Sequence, residues 1–307
     1  MTTALISHVD CELHQMSAGH PESPERLRAI HRQLELSGML ERLDLLVASP
    51  ASRAQLELAH PDHYIDAICD LHPERGLSYA DPDTALNPHS LRAADLAAGA
   101  VVQGVDRVLD GLADNVFCAV RPPGHHAEHD AAMGFCLFNN VATGAGWALQ
   151  RPGVKRVAVL DFDVHHGNGT VDIFKDRPDV LVCSSFQFPF YPFRFQDIDK
   201  PNIVNTPLPA GTGSAAFRQA IERDWLPALA THRPDMILVS AGFDAHRDDP
   251  LAELMLDDED FGWIGGLIMD AAKRYCEGRV VSVLEGGYNL NALGRSVQAY
   301  IEAMLEG

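Results

Sequence analysis

Basic residues are scarce in this chain of 307 residues. Lys and Arg number 24 against 43 Asp and Glu, which gives a formal net charge of −19 at pH 7. Because nucleic-acid binding requires clustered Lys and Arg to neutralise phosphates, the composition predicts that nucleic acid is not a partner. The same charge favours cationic ligands.

Several other signals are missing from the sequence. None of the six cysteines forms a C-x-x-C pair, so we expect buried thiols in a reducing compartment and not a disulfide framework. No apolar run approaches the roughly 20 residues that a membrane-spanning helix needs. Residues 1–10 lack the basic region and apolar stretch of a secretory signal. These absences predict a cytoplasmic protein without a membrane partner.

The chain also lacks internal repeats and any linker rich in Gly, Ser or Pro. It contains neither the G-x-S-x-G motif of a serine hydrolase nor a P-loop. Its apolar fraction of 46% is ordinary for a globular protein. We therefore expect one domain over residues 1–307, although this length also permits two small domains.

Short, continuous apolar runs alternate with longer segments rich in Ala and Leu. Continuous runs indicate strands that are buried on both faces of a parallel sheet. The predicted strands cover residues 115–120, 155–163, 179–185, 235–244 and 279–285, and the predicted helices cover residues 24–39, 90–109, 215–229 and 258–275. For the first helix, Ser23 is the predicted N-cap and Gly38 marks the end. This alternation predicts an α/β fold with a mostly parallel sheet.

Four of these runs lead directly into segments rich in His, Asp, Gly and Tyr. The segments are RPPGHHAE, DFDVHHGNGT, FDAHRDDP and GGYNL. Because ligands of open α/β sheets bind at the carboxyl ends of the strands, we expect the four segments to converge on one site.

Carboxylates and an imidazole alternate in residues 161–165. Asp163 and His165 could bind one metal ion, and Asp244 from another strand end could complete the ligand set. Two carboxylates and one imidazole leave a coordination position open for water, which is typical of a catalytic metal site. This donor set suits Zn²⁺, although Fe²⁺, Co²⁺ or Mn²⁺ could also be held.

Two His-His pairs supply candidates for proton transfer, which metal-assisted hydrolysis needs at the attacking water and at the leaving group. His125 could pair with the carboxylate of Asp161, and Asn168 could orient His126 without adding a charge. Tyr288 follows two glycines and could donate a hydrogen bond to a developing oxyanion.

With these residues assembled, the chain resembles the zinc-dependent deacetylases of the arginase/histone-deacetylase superfamily. The resemblance covers nearly the whole length, through HPESPERL, RPPGHHAE, GFCLFNN, LDFDVHHGNGT, SAGFDAHRDDP and LEGGYNL in the family's order. It implies a single-domain arginase/deacetylase fold, in which helices flank an eight-stranded, mostly parallel sheet. It also implies that the protein is an amidohydrolase that acts on N-acyl amides.

The resemblance implies that Asp163, His165 and Asp244 bind one Zn²⁺. It implies that His126 is the general base and acid of the reaction. His125 would then act beside it as an electrostatic catalyst.

Tyr288 matches the family's oxyanion-stabilising tyrosine. Asn168 stands where the class II-like branch has Asn and other branches have Asp, which groups the chain with that branch. The resemblance also implies a structural K⁺ near the zinc. The matching K⁺ ligands are the carbonyls of Asp161, Asp163, His165 and Ser185 with the hydroxyl of Ser184, and a second alkali-ion site would involve Phe174, Arg177, Val180 and Asn202.

The remaining matches concern the substrate channel. They are Phe135 and Tyr191 as its aromatic walls, Gly134 and Gly287 as further substrate-binding residues, Leu251 as gatekeeper and Arg26 on an internal passage for acetate release. Tyr191 departs from the Phe that is usual at its position. An apolar gatekeeper cannot attract a distal ammonium group, so Leu251 favours acylated lysine in a protein or peptide as the substrate.

Three alternatives stay open at this point. The first is hydrolysis of a small acylated amine, as in acetylpolyamine amidohydrolases, which the acidic composition would favour. The second is a ureohydrolase with a binuclear manganese site, and the third is a non-catalytic module that binds acyl-lysine. The sequence allows a homo-oligomer without predicting one.

Overall fold

The computed structural model describes residues 2–307, in which eight of the ten strands form one sheet. The other two strands form a separate antiparallel hairpin. The strands are β1 (Thr3–Ser7), β2 (Asp44–Val47), β3 (Ser78–Asp81), β4 (Thr84–Leu86), β5 (Asn115–Ala119), β6 (Val157–Asp161), β7 (Val180–Gln187), β8 (Ile203–Leu208), β9 (Met236–Ala241) and β10 (Val280–Leu284).

The sheet has the strand order β2-β1-β5-β10-β9-β6-β7-β8. Every neighbouring pair within it is parallel. Each residue of β5, β6, β9 and β10 is buried, as expected for continuous apolar strands that are covered on both faces. The eight-stranded sheet predicted above is therefore confirmed, and it is parallel throughout.

Helices connect the strands and cover both faces of the sheet. They are α1 (Glu25–Leu36), α2 (Arg53–Leu56), α3 (Asp62–Asp70), α4 (Ser90–Leu109), α5 (Asn140–Ala148), α6 (Asn168–Phe174), α7 (Ser214–His232), α8 (Asp258–Cys276) and α9 (Leu290–Glu306). None of these helices has an apolar stretch long enough to span a membrane.

Successive residues of β10 contact helices on opposite sides, because side chains alternate across a strand. A Cβ atom placed on Gly104 of α4 would lie 3.0 Å from Cγ1 of Val281, so this helix rests directly on the strand. The hydroxyl of Ser282, the next residue, lies 2.8 Å from the hydroxyl of Tyr300 in α9. Both faces of the central strands are thereby closed to solvent.

The first helix is shorter than predicted. It begins at Glu25 with Pro24 at the N-cap, and no side chain caps it there, so the N-cap assigned to Ser23 was wrong by one residue. It ends at Leu36 because Ser37 closes the last turn and Gly38 adopts a φ of +72°. Such a left-handed conformation stops a helix and favours glycine.

Candidate active site

The candidate site lies at the carboxyl ends of β5, β10, β9 and β6, which are four consecutive strands of the sheet. The loops after these strands carry the four segments that were expected to converge, at residues 121–128, 286–290, 243–250 and 161–170. Because parallel strands all end at the same edge, the strand order brings together residues that are more than a hundred positions apart.

Asp163, His165 and Asp244 form a cluster in which one ligand atom from each residue lies within 4.8 Å of the others. Nδ1 of His165 is 3.0 Å from Oδ1 of Asp163 and 3.2 Å from Oδ2 of Asp244. All three residues are buried. Two carboxylates and one imidazole in this arrangement are suitable ligands for a single divalent cation.

Backbone amides hold the carboxylates in position and leave one oxygen free. Oδ2 of Asp163 accepts a hydrogen bond from the amide of Gly286 at 2.8 Å, and Oδ1 of Asp244 accepts one from the amide of Val164 at 2.9 Å. Oδ2 of Asp244 is buried and accepts no hydrogen bond from the described residues, because Nδ1 of His165, 3.2 Å away, is hydrogen-bonded to Oδ1 of Asp163 at 3.0 Å. A buried carboxylate oxygen without a partner is costly unless a cation binds it, so the cluster fits a metal ion.

The electrostatics of the cluster also favour a positive charge. Burial opposes protonation of His165, but the carboxylates of Asp163 and Asp244 outweigh it and raise its pKa to about 10. The absence of a side chain at Gly286 leaves space for the carboxylates, since a Cβ atom there would lie 2.0 Å from Oδ2 of Asp244. A residue with a side chain at position 286 would displace the ligands.

The pair His125 and His126 lies beside this cluster, with ring centroids 4.0 Å apart. Nδ1 of His125 is 2.9 Å from Oδ2 of Asp161, and Nδ1 of His126 is 2.6 Å from Oδ1 of Asn168. The two imidazoles therefore have different partners, one a carboxylate and the other a neutral amide. This is the pairing expected from the sequence.

The partners give the two imidazoles opposite electrostatics. Burial disfavours the charged form of His125, but Asp161 and other nearby carboxylates raise its pKa well above the ordinary value. Burial and the neighbouring His125 and His165 lower the pKa of His126 well below the ordinary value. These shifts favour the cationic form of His125 and the neutral form of His126, which keeps a nitrogen lone pair for a proton.

Glu285 was not singled out in the sequence, although it lies in the LEGGYNL segment. It is fully buried, and its Oε2 accepts hydrogen bonds from the amides of Gly124 at 2.7 Å and His125 at 3.1 Å. Its Oε1 accepts a third bond from the hydroxyl of Ser240. Glu285 therefore fixes the turn from which both imidazoles project.

A cavity of about 220 Å³ leads to the cluster. Its lining residues are Asp83, Pro123, His125, His126, Gly134, Phe135, His165, Phe190, Tyr191, Leu251, Gly286 and Tyr288. Four of the five predicted substrate-binding residues line it. The fifth, Gly287, does not line the cavity; its carbonyl accepts a hydrogen bond from Nε of Arg26 at 2.7 Å.

Aromatic rings form the walls of this cavity. The ring of Phe135 meets that of Tyr288 edge-on at 6.1 Å, and the ring of Tyr191 meets that of His126 edge-on at 5.3 Å. Phe190, which the sequence did not reveal, stacks on His165 at 5.4 Å. Gly134 is required here, because its φ is +57° and a Cβ atom would lie 2.3 Å from the His126 ring.

Arg26 lies behind the cavity and is fully buried. Its guanidinium carbon is 5.0 Å from the centre of the Tyr288 ring. It also donates a hydrogen bond to the carbonyl of Glu285 and lies 3.3 Å from the carboxylate of Glu22. These contacts place Arg26 against the inner side of Tyr288; its role in acetate release stays a prediction.

The residues expected to bind K⁺ are also close to the cluster. Asp161 ends β6 and pairs with Ser184 of β7, which Ser185 follows; all three are buried. The Ser184 hydroxyl accepts a hydrogen bond from the amide of Gly167 at 3.4 Å. At the second expected alkali-ion site, the carbonyls of Phe174, Arg177 and Val180 accept hydrogen bonds from the side-chain amide of Asn202. Binding of K⁺ at either site stays a prediction.

The fold and site together define a hydrolase of the arginase/deacetylase fold. The model of the histone deacetylase domain matches residues 20–304, and the chain belongs to this family. The family indicates a hydrolase that acts on amide bonds, in agreement with the amidohydrolase expected from the sequence.

Several relatives support this assignment. The chain is 43% identical to a histone deacetylase-like amidohydrolase of Pseudomonas aeruginosa, over 89% of this chain and 73% of the relative. It is 34% identical to a probable deacetylase of Archaeoglobus fulgidus, over 94% of this chain and 82% of the relative. Among solved structures, the HDA15 HD domain matches with a TM-score of 0.93 and 35% identity, over 99% of this chain and 88% of that one.

Proposed function

We propose that this protein is a zinc-dependent deacylase that removes acetyl or other acyl groups from lysine side chains of proteins or peptides. The unpartnered Oδ2 of Asp244 carries the proposal, because it faces His165 in a buried cluster that also holds Asp163. Zn²⁺ bound by these three residues would polarise the acyl carbonyl and lower the pKa of a bound water.

The neighbouring imidazoles suit the proton transfers of amide hydrolysis. Nδ1 of His126 bonds the Asn168 oxygen, so Nε2 of His126 is free to take a proton from the attacking water. The same atom can return the proton to the departing amine. His125, paired with Asp161 at 2.9 Å, adds a positive charge beside the reacting carbonyl.

Tyr288 suits the developing negative charge on the carbonyl oxygen. It lines the cavity, and its hydroxyl makes no hydrogen bond within the described residues. Burial raises the pKa of Tyr288 well above the ordinary value, so the phenol keeps its proton and can donate it in a hydrogen bond.

The shape of the cavity supports a lysine side chain as the group that enters. Phe135, Phe190 and Tyr191 provide apolar walls for four methylene groups, and Leu251 adds an apolar residue to the lining. A cavity with these walls shields the methylene groups of the substrate from bulk water.

A small acylated polyamine is the second candidate substrate. The carboxylate of Asp83 lies on the cavity lining and would attract the distal ammonium group of such an amine. The net charge of −19 favours cationic substrates of both kinds.

A panel of substrates at matched concentration tests the proposal. Acetyl-lysine, longer acyl-lysine and trifluoroacetyl-lysine peptides are compared with N-acetylputrescine, N-acetylcadaverine and N8-acetylspermidine, with Asp244→Asn as the inactive control. We expect chelator-sensitive turnover that is highest for the peptides. Turnover of the small amines alone would favour the second candidate, and turnover of none by the metal-loaded protein would refute both.

A further inference from the structure

Glu128 is a buried carboxylate that the proposed reaction leaves unused. It lies at the end of the RPPGHHAE segment and is 3% exposed. Nδ2 of Asn168 donates a hydrogen bond to its Oε1 at 2.7 Å. Arg194 donates two more, from Nε to Oε1 at 2.6 Å and from Nη2 to Oε2 at 2.7 Å. Arg194, Glu128, Asn168 and His126 therefore form one continuous chain of side-chain hydrogen bonds.

This chain determines which end of the Asn168 amide faces His126. An ionised carboxylate only accepts hydrogen bonds, and a guanidinium only donates them. Glu128 therefore takes the amide nitrogen of Asn168 as its donor, which leaves Oδ1 of Asn168 pointing at Nδ1 of His126. Facing an oxygen, Nδ1 of His126 must carry the proton.

The tautomer of His126 decides whether this residue can act as a base. With the proton on Nδ1, the lone pair of Nε2 is free. If the Asn168 amide were reversed, its NH₂ group would face Nδ1, and the proton of the neutral imidazole would move to Nε2. Such a histidine could not accept a proton from water at Nε2.

Arg194 also connects this chain to the cavity wall. It lies in residues 188–196, which carry Phe190 and Tyr191. The ring of Tyr191 meets that of His126 at 5.3 Å, and the ring of Phe190 stacks on His165 at 5.4 Å. The Arg194–Glu128 pair is bidentate, a geometry that resists rotation of either side chain. One ion pair thus ties the wall segment to the hydrogen bonds of His126.

We propose that Glu128 is a positioning residue that sets the Asn168 amide, and through it the Nδ1-protonated tautomer of His126, while Arg194 holds Glu128 in place. The catalytic consequence rests on the proposed deacylase function. The tautomer itself does not, because it follows from the hydrogen bonds alone.

An exchange of donor and acceptor tests the proposal. Oε1 of Glu128 accepts from both Asn168 and Nε of Arg194. In Glu128→Gln, the side chain can turn either its oxygen or its NH₂ group toward Asn168, so the Asn168 amide is no longer held in one orientation. We expect kcat to fall severalfold, because part of the protein then holds His126 as the tautomer that cannot accept a proton at Nε2. KM should change little, because Glu128 does not line the cavity.

The double variant Glu128→Gln/Asn168→Asp restores the pattern. The new NH₂ group at position 128 donates to the new carboxylate at position 168, whose second oxygen accepts the Nδ1 proton of His126. Asn168→Asp alone places two carboxylates face to face and should also lose activity. We expect the double variant to recover most of the kcat lost in either single variant, which is a non-additive effect between contacting residues.

¹⁵N NMR of the histidine rings gives a readout that is independent of turnover. The His126 signals, identified by their loss in His126→Ala, should report the Nδ1-protonated tautomer in the wild type and in the double variant, and a mixture of the Nδ1- and Nε2-protonated tautomers in Glu128→Gln. If wild-type and Glu128→Gln proteins have the same His126 tautomer, or if the double variant is no better than the single variants, the proposal is wrong.

A matched control separates positioning from stability. Asp260 is another fully buried carboxylate that is paired with a partly exposed arginine, Arg218, at 2.8 Å, and it does not line the cavity. Asp260→Asn should lower the thermal midpoint without changing the His126 tautomer. A wild type that is inactive on every acyl amide but shows the Nδ1 tautomer would refute the proposed function alone.

Discussion

At the scale of single residues, Tyr288 makes the clearest prediction. Because its hydroxyl makes no hydrogen bond within the described residues, Tyr288→Phe removes a group that only the reacting substrate would use. We expect kcat to fall by about 10² to 10³, the cost of removing one oxyanion-hole donor. Steady-state kinetics measure the fall in kcat, and thermal melts measure stability. The thermal midpoint should stay near that of the wild type.

Tyr300→Phe is the matched control for this substitution. Tyr300 is fully buried in α9, and its hydroxyl is hydrogen-bonded to Ser282. Losing that bond should lower the free energy of unfolding by about 1 kcal/mol and leave kcat unchanged. Equal kcat values for the Tyr288→Phe protein and the wild type would exclude an oxyanion role for Tyr288.

The residues of the metal cluster and the oxyanion tyrosine, which the sequence revealed, share one property: each lies within a few positions of a strand end. Asp163, His165 and Tyr288 are examples, because each belongs to a polar cluster that follows an apolar run, and the apolar run indicates a strand in the sequence. Asp83 was missed because it lies in the hairpin turn between β3 and β4. It reaches the cavity only through tertiary contacts, such as the hydrogen bond from the amide of Gly134 to its Oδ1.

At the scale of elements, burial explains which parts of the fold were predictable. Helix α4 was predicted with its observed bounds, because its apolar residues recur at helical spacing over five turns. Strands β1, β2 and β8 of the sheet and both strands of the hairpin, β3 and β4, were not predicted. Strand β2 is only half-buried and β8 contains Pro207, which is tolerated at a sheet edge. Helix α5 is buried almost all round, so it has no polar face to reveal a helical period.

His60 links two of these elements and makes the stability depend on pH. It lies between α2 and α3, and its Nε2 accepts a hydrogen bond at 2.8 Å from the amide of Asn139, the N-cap of α5. Burial lowers the pKa of His60 to about 4 in the folded protein, although a bond to the His129 carbonyl opposes the shift. The unfolded chain therefore takes up the proton first as the pH falls.

The contribution of His60 is fully present above pH 6.5 and is lost as the pH falls toward 4. Between pH 7 and pH 5 it should reduce the free energy of unfolding by about 2 kcal/mol. Urea unfolding at both pH values measures this loss. The free energy of unfolding should fall by about 2 kcal/mol less in His60→Gln than in the wild type. The exposed His63 is the control, since His63→Gln should keep the wild-type fall. An identical fall in His60→Gln would refute this role.

At the scale of the whole molecule, the net charge of −19 should steer cationic substrates. For an acetyl-lysine peptide with flanking lysines, we expect kcat/KM to drop severalfold when the ionic strength rises from about 0.01 M to about 0.15 M. The Debye length shortens over this range from about 30 Å to about 8 Å. A peptide with flanking glutamates should respond in the opposite direction, and a neutral peptide should respond little. Equal salt responses of all three would exclude steering.

The sheet as a whole creates the site, because four consecutive strands end beside one another and only their order brings Asp163, His165 and Asp244 together. The central claim is that these residues hold one divalent cation on which amide hydrolysis depends. Titration of Zn²⁺ into chelator-treated protein, with acetate release followed at each step, tests it most directly. We predict that activity rises linearly and saturates at one equivalent per chain, and that Asp244→Asn gains none. Full activity without metal, or saturation only at two equivalents, would contradict the claim.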